Sequence, residues 1–497
     1  MNRRHFVQSS LAAAVAYALP PRLYALDNPA SQAAGGLAAV KLDGSPTVIE
    51  QAALKELKES LRGPLLLAGD PGYDESRRVL NRSIDKRPAL VVQPTGVADV
   101  RNAVTFARDR DLLVAVKCGG HSFGGKSTCD GGLQIDLARL RGVRVDPVSR
   151  TAWVEGGSLL GEIDHEAMAQ GLVTTTGTVS HTGVGGLTLG GGFGRLARRY
   201  GLAIDNLQSV DIVTADGRYL HASEKENPDL FWGVRGGGGN FGVVTGFEFG
   251  LHPMQREVVA GNVVFPLDRA RELLEFYADY SANAPQELYV DAILSAAPGG
   301  KPGVFVLNTC YSGTAGDADR VLAPIRKLGK PIADSIGPQD YVAVQRMNDN
   351  ADPRSVGTYL KSGFIGGFRK ELVDTIVDAY QPHPERATLL FFQHGGGAVS
   401  QVPTDATAFP HRYASHNMLT LVSWPLELDR TPHVDYLRGY WAKLEPFTRG
   451  YYTNEVADEA QSVVDENYQG NLARMREVKR KYDPKNLFRL NANVVPA

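Results

Sequence analysis

Three clusters of glycine define the chemistry open to this chain. Gly119, Gly120, Gly124 and Gly125 surround His121. Seven glycines lie among the twelve residues from Gly183 to Gly194, and Gly236–Gly239 run into Asn240-Phe241-Gly242. Backbone this bare presents its N–H groups and takes positive φ without strain, a geometry suited to cradling a pyrophosphate. One such cluster reads as a turn between strands; three in one stretch point to a large anionic ligand. Of the 54 glycines in 497 residues, 28 fall between Gly119 and Gly246 with no G-x-y period, so the stretch is not collagen-like.

The flanks narrow the choice of ligand. Gly237, Gly239 and Gly242 match G-x-G-x-x-G, but Val243-Val244-Thr245 follows, a strand by propensity where a dinucleotide-binding turn must open a helix. The preceding Phe231–Arg235 makes a poor parallel strand. His181, His394 and His416 share no ligand spacing, so no metal site is expected. Cys118, Cys129 and Cys310 form neither a C-x-x-C pair nor a disulfide framework. With 53 Lys and Arg against 55 Asp and Glu, the net charge of −2 offers no broad attraction to nucleic acid or anionic membrane.

Short elements must position these loops. Ala89–Gln93 and Leu112–Val116 read as buried strands joined by an amphipathic helix over 97–110, built on Val97, Val100, Val104 and Ala107. The second strand delivers the chain to Gly119. Leu133, Ile135 and Leu137 alternate with polar residues as a half-buried strand does. A helix is expected over 158–170, capped by Ser158 and ended by Gly171. Strands around Asp146-Pro147 and Asp216-Gly217 complete a mixed α+β lobe, not a regular β-α-β series. Beyond Met254 a second α+β domain is expected, a broad sheet backed by helices. A basic helix over Met475–Lys481, its Lys479-Arg480-Lys481 run on a solvated face, stops at Asp483-Pro484.

The N-terminus reads as a targeting segment. Arg3-Arg4 precede an apolar run from Leu11 to Leu19, too short for the ~20 residues of a membrane span. Charged start, short apolar run and small residues fit a cleavable signal, and the Arg pair suggests twin-arginine export to the periplasm or exterior. Residues 28–46 have the composition of a flexible link. The division is then a signal over 1–26, a linker and lead-in over 27–84, a cofactor domain over 85–253, a substrate domain over 254–450 and a returning segment over 451–497.

The motif order resembles one family. Lys117-Cys118-Gly119-Gly120-His121-Ser122, then Thr182–Gly194 (TGVGGLTLGGGFG), Ile204-Asp205-Asn206-Leu207, Asn227–Trp232, Arg235–Gly242 and Tyr482–Asn493 (YDPKNLFRLNAN) resemble the FAD-linked oxidases of the vanillyl-alcohol oxidase superfamily, the berberine-bridge-enzyme-like branch most closely. The resemblance runs from about 85 to 495. It implies a two-lobed α+β fold of the PCMH type, with an FAD-binding lobe and an antiparallel sheet backed by helices.

By the same resemblance FAD is held by Gly119, Gly120, Ser122, Thr182, Gly183, Gly185, Gly186, Gly190, Gly192, Gly239, Asn240, Gly242, Val243, Asn491 and Asn493, and His121 is bonded covalently to the flavin 8α-methyl carbon. Many relatives add a second bond from a Cys four residues before the Gly-x-Gly-Gly run; Val179 stands there, so a single link through His121 is expected. A small residue at the Thr182 position goes with access for O₂. The family's Tyr-x-Asn-Tyr string is here Tyr452-Thr453-Asn454-Glu455, which nominates Tyr452 as the group acting on substrate, with Glu455 where the second Tyr stands. The implied activity is oxidation of a small alcohol, sugar or phenolic molecule by FAD, with O₂ reduced to H₂O₂. The alternatives are a dehydrogenase using another acceptor and, outside enzymes, a secreted ligand-binding protein.

Overall fold

The computed structural model describes residues 32–33, 36–349, 356–455 and 459–497. The expected signal segment lies outside them. No helix among the described residues is long and apolar enough to cross a membrane.

The first lobe begins earlier than composition suggests. Gly36–Val40 and Pro46–Glu50 are paired antiparallel strands where a flexible link was expected, because Ala39 and Ile49 have a core to enter. In the neighbouring sheet Leu90–Val92 and Val114–Lys117 both run parallel to Leu133–Asp136, which lies between them. The helix Val97–Asp109 makes the crossover, so the lobe does hold one β-α-β unit. This position also corrects the expectation that Leu133–Asp136 is half-buried. All four residues are buried, because Gln134 donates to the Ser76 carbonyl at 2.7 Å and Asp136 pairs with Lys117 at 3.3 Å.

The Leu160–Met168 helix is not capped by Ser158, whose hydroxyl bonds Gly142 instead. Glu162, in the first turn, accepts from the Leu159 N–H at 2.8 Å. Phe231–Val234 belong to a helix, Pro228–Val234, opened by Pro228. Part of the central glycine run is also helical, over Val184–Leu189, while Val243 begins a strand as its propensity requires.

The second lobe is one eight-stranded sheet. Its long strands are β1 (Glu257–Pro266), β2 (Leu288–Ala296), β3 (Val304–Tyr311), β4 (Val356–Ile365), β5 (Ala387–His394) and β6 (His416–Pro425), in spatial order β1-β3-β2-β5-β6-β4 and antiparallel throughout. Helices Ala270–Ala282, Ala315–Lys327, Lys370–Ala379 and Thr431–Leu444 bury one face, where Phe265, Leu294, Phe305, Phe392 and Trp424 form the largest apolar core. His394 and His416 stack in that layer, neutral at physiological pH because burial holds both far below the usual imidazole range.

The chain then returns to the first lobe through the helix Leu472–Tyr482. Here the expected solvated basic face is wrong at one residue. Lys479 is fully buried, 2.7 Å from an equally buried Asp483, and also donates to the Asn240 and Phe488 carbonyls at 2.7 and 2.9 Å. Asp483 accepts from the Leu487 and Phe488 N–H groups at 2.7 and 2.9 Å. All three ammonium donors are satisfied, which makes the burial tolerable. Removing one partner strands the other charge, so Lys479→Met is expected to destabilise the protein by about 3–5 kcal/mol, read as a lowered midpoint in urea; a change below about 1 kcal/mol would contradict this account.

Candidate cofactor and substrate site

Two glycine clusters meet backbone to backbone. A Cβ on Gly119 would lie 2.4 Å from the Gly183 nitrogen, and one on Gly183 would lie 2.4 Å from the Gly119 nitrogen and 2.5 Å from the Cys118 sulfur. Only glycine at both positions permits this approach. The contact brings His121 against the next loop. Its Nε2 is 2.7 Å from Nδ1 of His181, its Nδ1 is 3.2 Å from the Thr182 hydroxyl, and His181 Nε2 faces the Asp349 carbonyl at 3.3 Å. Gly120 makes the turn into His121 at φ +71°. Ser122 spends its hydroxyl oxygen inside the loop, accepting from the Lys126 N–H.

The expected cofactor glycines divide into two groups. Gly185, Gly190, Gly192 and Gly242 press on protein: their added Cβ atoms would meet the Gly156 carbonyl, Asn454, Ala203 and the Val213 carbonyl. Gly186 has no atom within 4 Å of that position and Gly239 only Asn491 at 3.9 Å, so these two leave bare backbone open to a ligand. Asn240 is buried as the hub of the third cluster, bonding the Gly237 and Ala492 carbonyls and the Val494 N–H. Val243 buries its side chain in the core, leaving its backbone alone to face a cofactor. Asn491 and Asn493 carry buried side-chain oxygens with no hydrogen-bond partner among the described residues. Open glycine backbone beside orphaned amide oxygens fits FAD, whose flavin and phosphates need both kinds of neighbour.

Tyr452 does reach the glycine run. Its hydroxyl accepts from the Gly192 N–H at 3.0 Å and from the Asn454 amide at 2.9 Å, inside an aromatic cluster of Phe193, Phe364 and Phe409. Burial, with Glu455 nearby, lifts its pKa to about 12, so it keeps its proton. Glu455 contrasts with it. One edge of the residue stays open, yet burial of the carboxyl raises it to about 7 against the hydrogen bond from Asn417. Asn417 lies 2.8 Å from its Oε2.

Asn417 ends a row that motif reading missed. Asn262 of β1 sits opposite Asn308 of β3, which sits opposite Asp291 of β2. Asp291 is one place along from the Ala292–Phe392 pair and so lies beside Gln393 of β5, and Gln393 sits opposite Asn417 of β6. Five polar side chains thus cross the sheet in one line, on the face without helices. Asn308 donates to Asn262 at 2.6 Å and Asn417 to Gln393 at 2.9 Å. Burial lifts Asp291 to about 7, beside Tyr289 and Arg195. Arg195, the residue after Gly194, bonds Asn308 at 2.6 Å and buries two further guanidinium nitrogens without hydrogen-bond partners among the described residues. The sequence signal was one internal amide or acid in each of β1, β2, β3, β5 and β6.

The site is therefore a glycine cradle with His121 at one side and a buried polar row facing it, joined by Arg195 and the Tyr452–Glu455 segment. Comparison with known proteins places the whole chain. Residues 88–223 match the family described as FAD binding domain and residues 451–495 the family described as berberine and berberine like. An FAD-linked oxidoreductase of Dictyostelium discoideum is 33% identical over 448 residues, covering 89% of this chain and 97% of the relative. A glucooligosaccharide oxidase of Sarocladium strictum is 29% identical, covering 86% and 91%. The crystal structure of a 6-hydroxy-D-nicotine oxidase from Arthrobacter nicotinovorans superposes with a TM-score of 0.80 at 27% identity, covering 88% of this chain and 99% of that one. With similarity at this level over nearly the full length of the relative, the chain belongs to the FAD-linked oxidoreductases of the berberine-bridge-enzyme-like branch.

Proposed function

We propose that this protein is an exported FAD-dependent oxidase that carries its flavin on a single covalent bond to His121 and oxidises a small alcohol, sugar or phenolic substrate at the expense of O₂. The observation that carries the reading is the contact from Arg195 to Asn308, which sets the glycine cradle directly against a buried polar row. Bound FAD supplies the electron-accepting chemistry; the chain supplies position and proton handling.

His181 supports the covalent link. Its Nε2 faces a carbonyl and so carries the proton, which leaves Nδ1 to accept from His121 Nε2–H. His121 Nδ1, beside the Thr182 hydroxyl, would then be the nitrogen bonded to the 8α carbon, which would give up a C–H proton while two electrons pass to the flavin ring and on to O₂. Acid-precipitated protein should be yellow and His121→Ala colourless in the pellet; a colourless wild-type pellet would sink the link. Rapid reoxidation of the reduced flavin by air separates an oxidase from a dehydrogenase.

In place of Tyr452, proton acceptance is assigned to Glu455, which Asn417 orients at the end of the polar row. Tyr452 holds the Gly192 backbone and stays protonated. A carboxyl that ionises near 7 is a base only above that pH, so kcat/KM should rise through about pH 7. Glu455→Gln should lower it by about a hundredfold or more and abolish that limb, while a retained limb would clear Glu455 of the role.

Export rests on Arg3-Arg4 ahead of the Leu11–Leu19 run. Replacing the pair by Lys-Lys should leave the protein in the cytoplasm, as shown by cell fractionation; undiminished export would reject the twin-arginine route.

A further inference from the structure

The polar row is one of several lines of side chains crossing the same sheet face. Two residues further along each strand, Val264, Val306, Ile293, Phe391, Leu419 and Ser362 stand opposite one another across β1, β3, β2, β5, β6 and β4. The next line brings Val304, Leu389, Leu421 and Leu360, with Ser295 as its one hydroxyl. Alternation puts both lines on the side of the polar row, away from the helices, and Val264, Ile293 and Val306 form a cluster separate from the helix-backed core. Successive lines lie roughly 7 Å apart along the strands. Phe391, Leu389, Leu421 and Val304 remain only half-buried.

This band has defined ends. On one side stands the polar row with Glu455. At the other, a cleft lies between Phe123-Gly124, just past His121, and Thr358–Leu360 of β4. Asn81 ties the two together, its amide donating to the Phe123 and Thr358 carbonyls at 2.8 and 2.9 Å. The band thus runs from the proton-accepting end of the site to the loop that carries His121. No ionisable side chain stands in either line, and Ser362 and Ser295 are the only hydrogen-bonding side chains there.

We infer that the substrate has an uncharged, apolar body one or two rings long, seated on the Phe391 band, with a single hydroxyl or amine held at the polar row for oxidation. This rests on the oxidase reading and narrows its substrate class. A sugar ring placed on the band would leave several hydroxyls without partners, and a site that buries polar groups unpaired discriminates strongly against their owner. An aromatic or alicyclic body loses nothing by the same placement and gains the contact area.

Anaerobic titration of the holoenzyme with 2-naphthalenemethanol and with xylobiose, followed by flavin absorbance, tests the inference. The naphthyl alcohol should half-saturate the protein at a concentration at least tenfold below xylobiose. Phe391→Asn should raise that concentration about tenfold and Phe391→Leu by much less, the scale expected for an apolar contact in a binding pocket. Leu421→Asn, on the neighbouring strand, repeats the test should the first variant fail to fold. Tighter binding of xylobiose, no perturbation by the naphthyl alcohol, or indifference to both Asn variants overturns it. Binding of the naphthyl alcohol without bleaching of the flavin supports the apolar seat and counts against the oxidase reading instead.

Discussion

The approach of Gly119 to Gly183 governs the first lobe. One glycine ends a parallel strand and the other opens a short helix more than sixty residues later. Neither backbone can retreat, because Gly119 lies two residues past Lys117 of the buried Lys117–Asp136 pair and Gly183 bridges Leu159 antiparallel. Everything the site requires of these loops follows from that fixed point. His121 is carried against His181 and Thr182, and the run from Gly185 to Gly194 is aimed at the second lobe, where Arg195 enters it.

The sheet of the second lobe is two surfaces with different physics. Under the helices, large apolar side chains interlock and the stacked His394 and His416 stay neutral. On the opposite face, amides and an acid stand in register within reach of the cradle. Burial there lifts the Asp291 carboxyl to about 7 and, on the first lobe, does the same to Asp164, with Arg195 acting on both. A guanidinium buried with only part of its hydrogen-bonding capacity met is costly and is retained at sites where charge must be managed.

How much of this could be read beforehand depended on distance along the chain. The glycine clusters, His121 and the C-terminal motif are local strings, and their order sufficed for fold and cofactor. Strand Val243–Gly250 was legible from its β-branched start. Lys479 was not, since three basic residues in a row look alike until the helix turns one of them toward Asn240. Ser158 looked like a cap until Glu162 took the Leu159 N–H. The polar row was least legible: its members lie between 262 and 417 and share no motif, and only strand register brings them into line. Residues 36–46 misled by composition, because small residues serve a close-packed strand pair as readily as a linker.

The return of the chain at Leu472–Val494 has a consequence in time. The three glycine clusters all precede β1, yet Asn240 acquires the Lys479, Ala492 and Val494 contacts that fix it from residues 239 to 254 positions further along the chain. Asn491 and Asn493 arrive with them. A nascent chain therefore displays an unfinished cradle until residues 472–494 have been made. Completion of the cradle waits on that segment, so its loss is an assembly defect before it is a catalytic one.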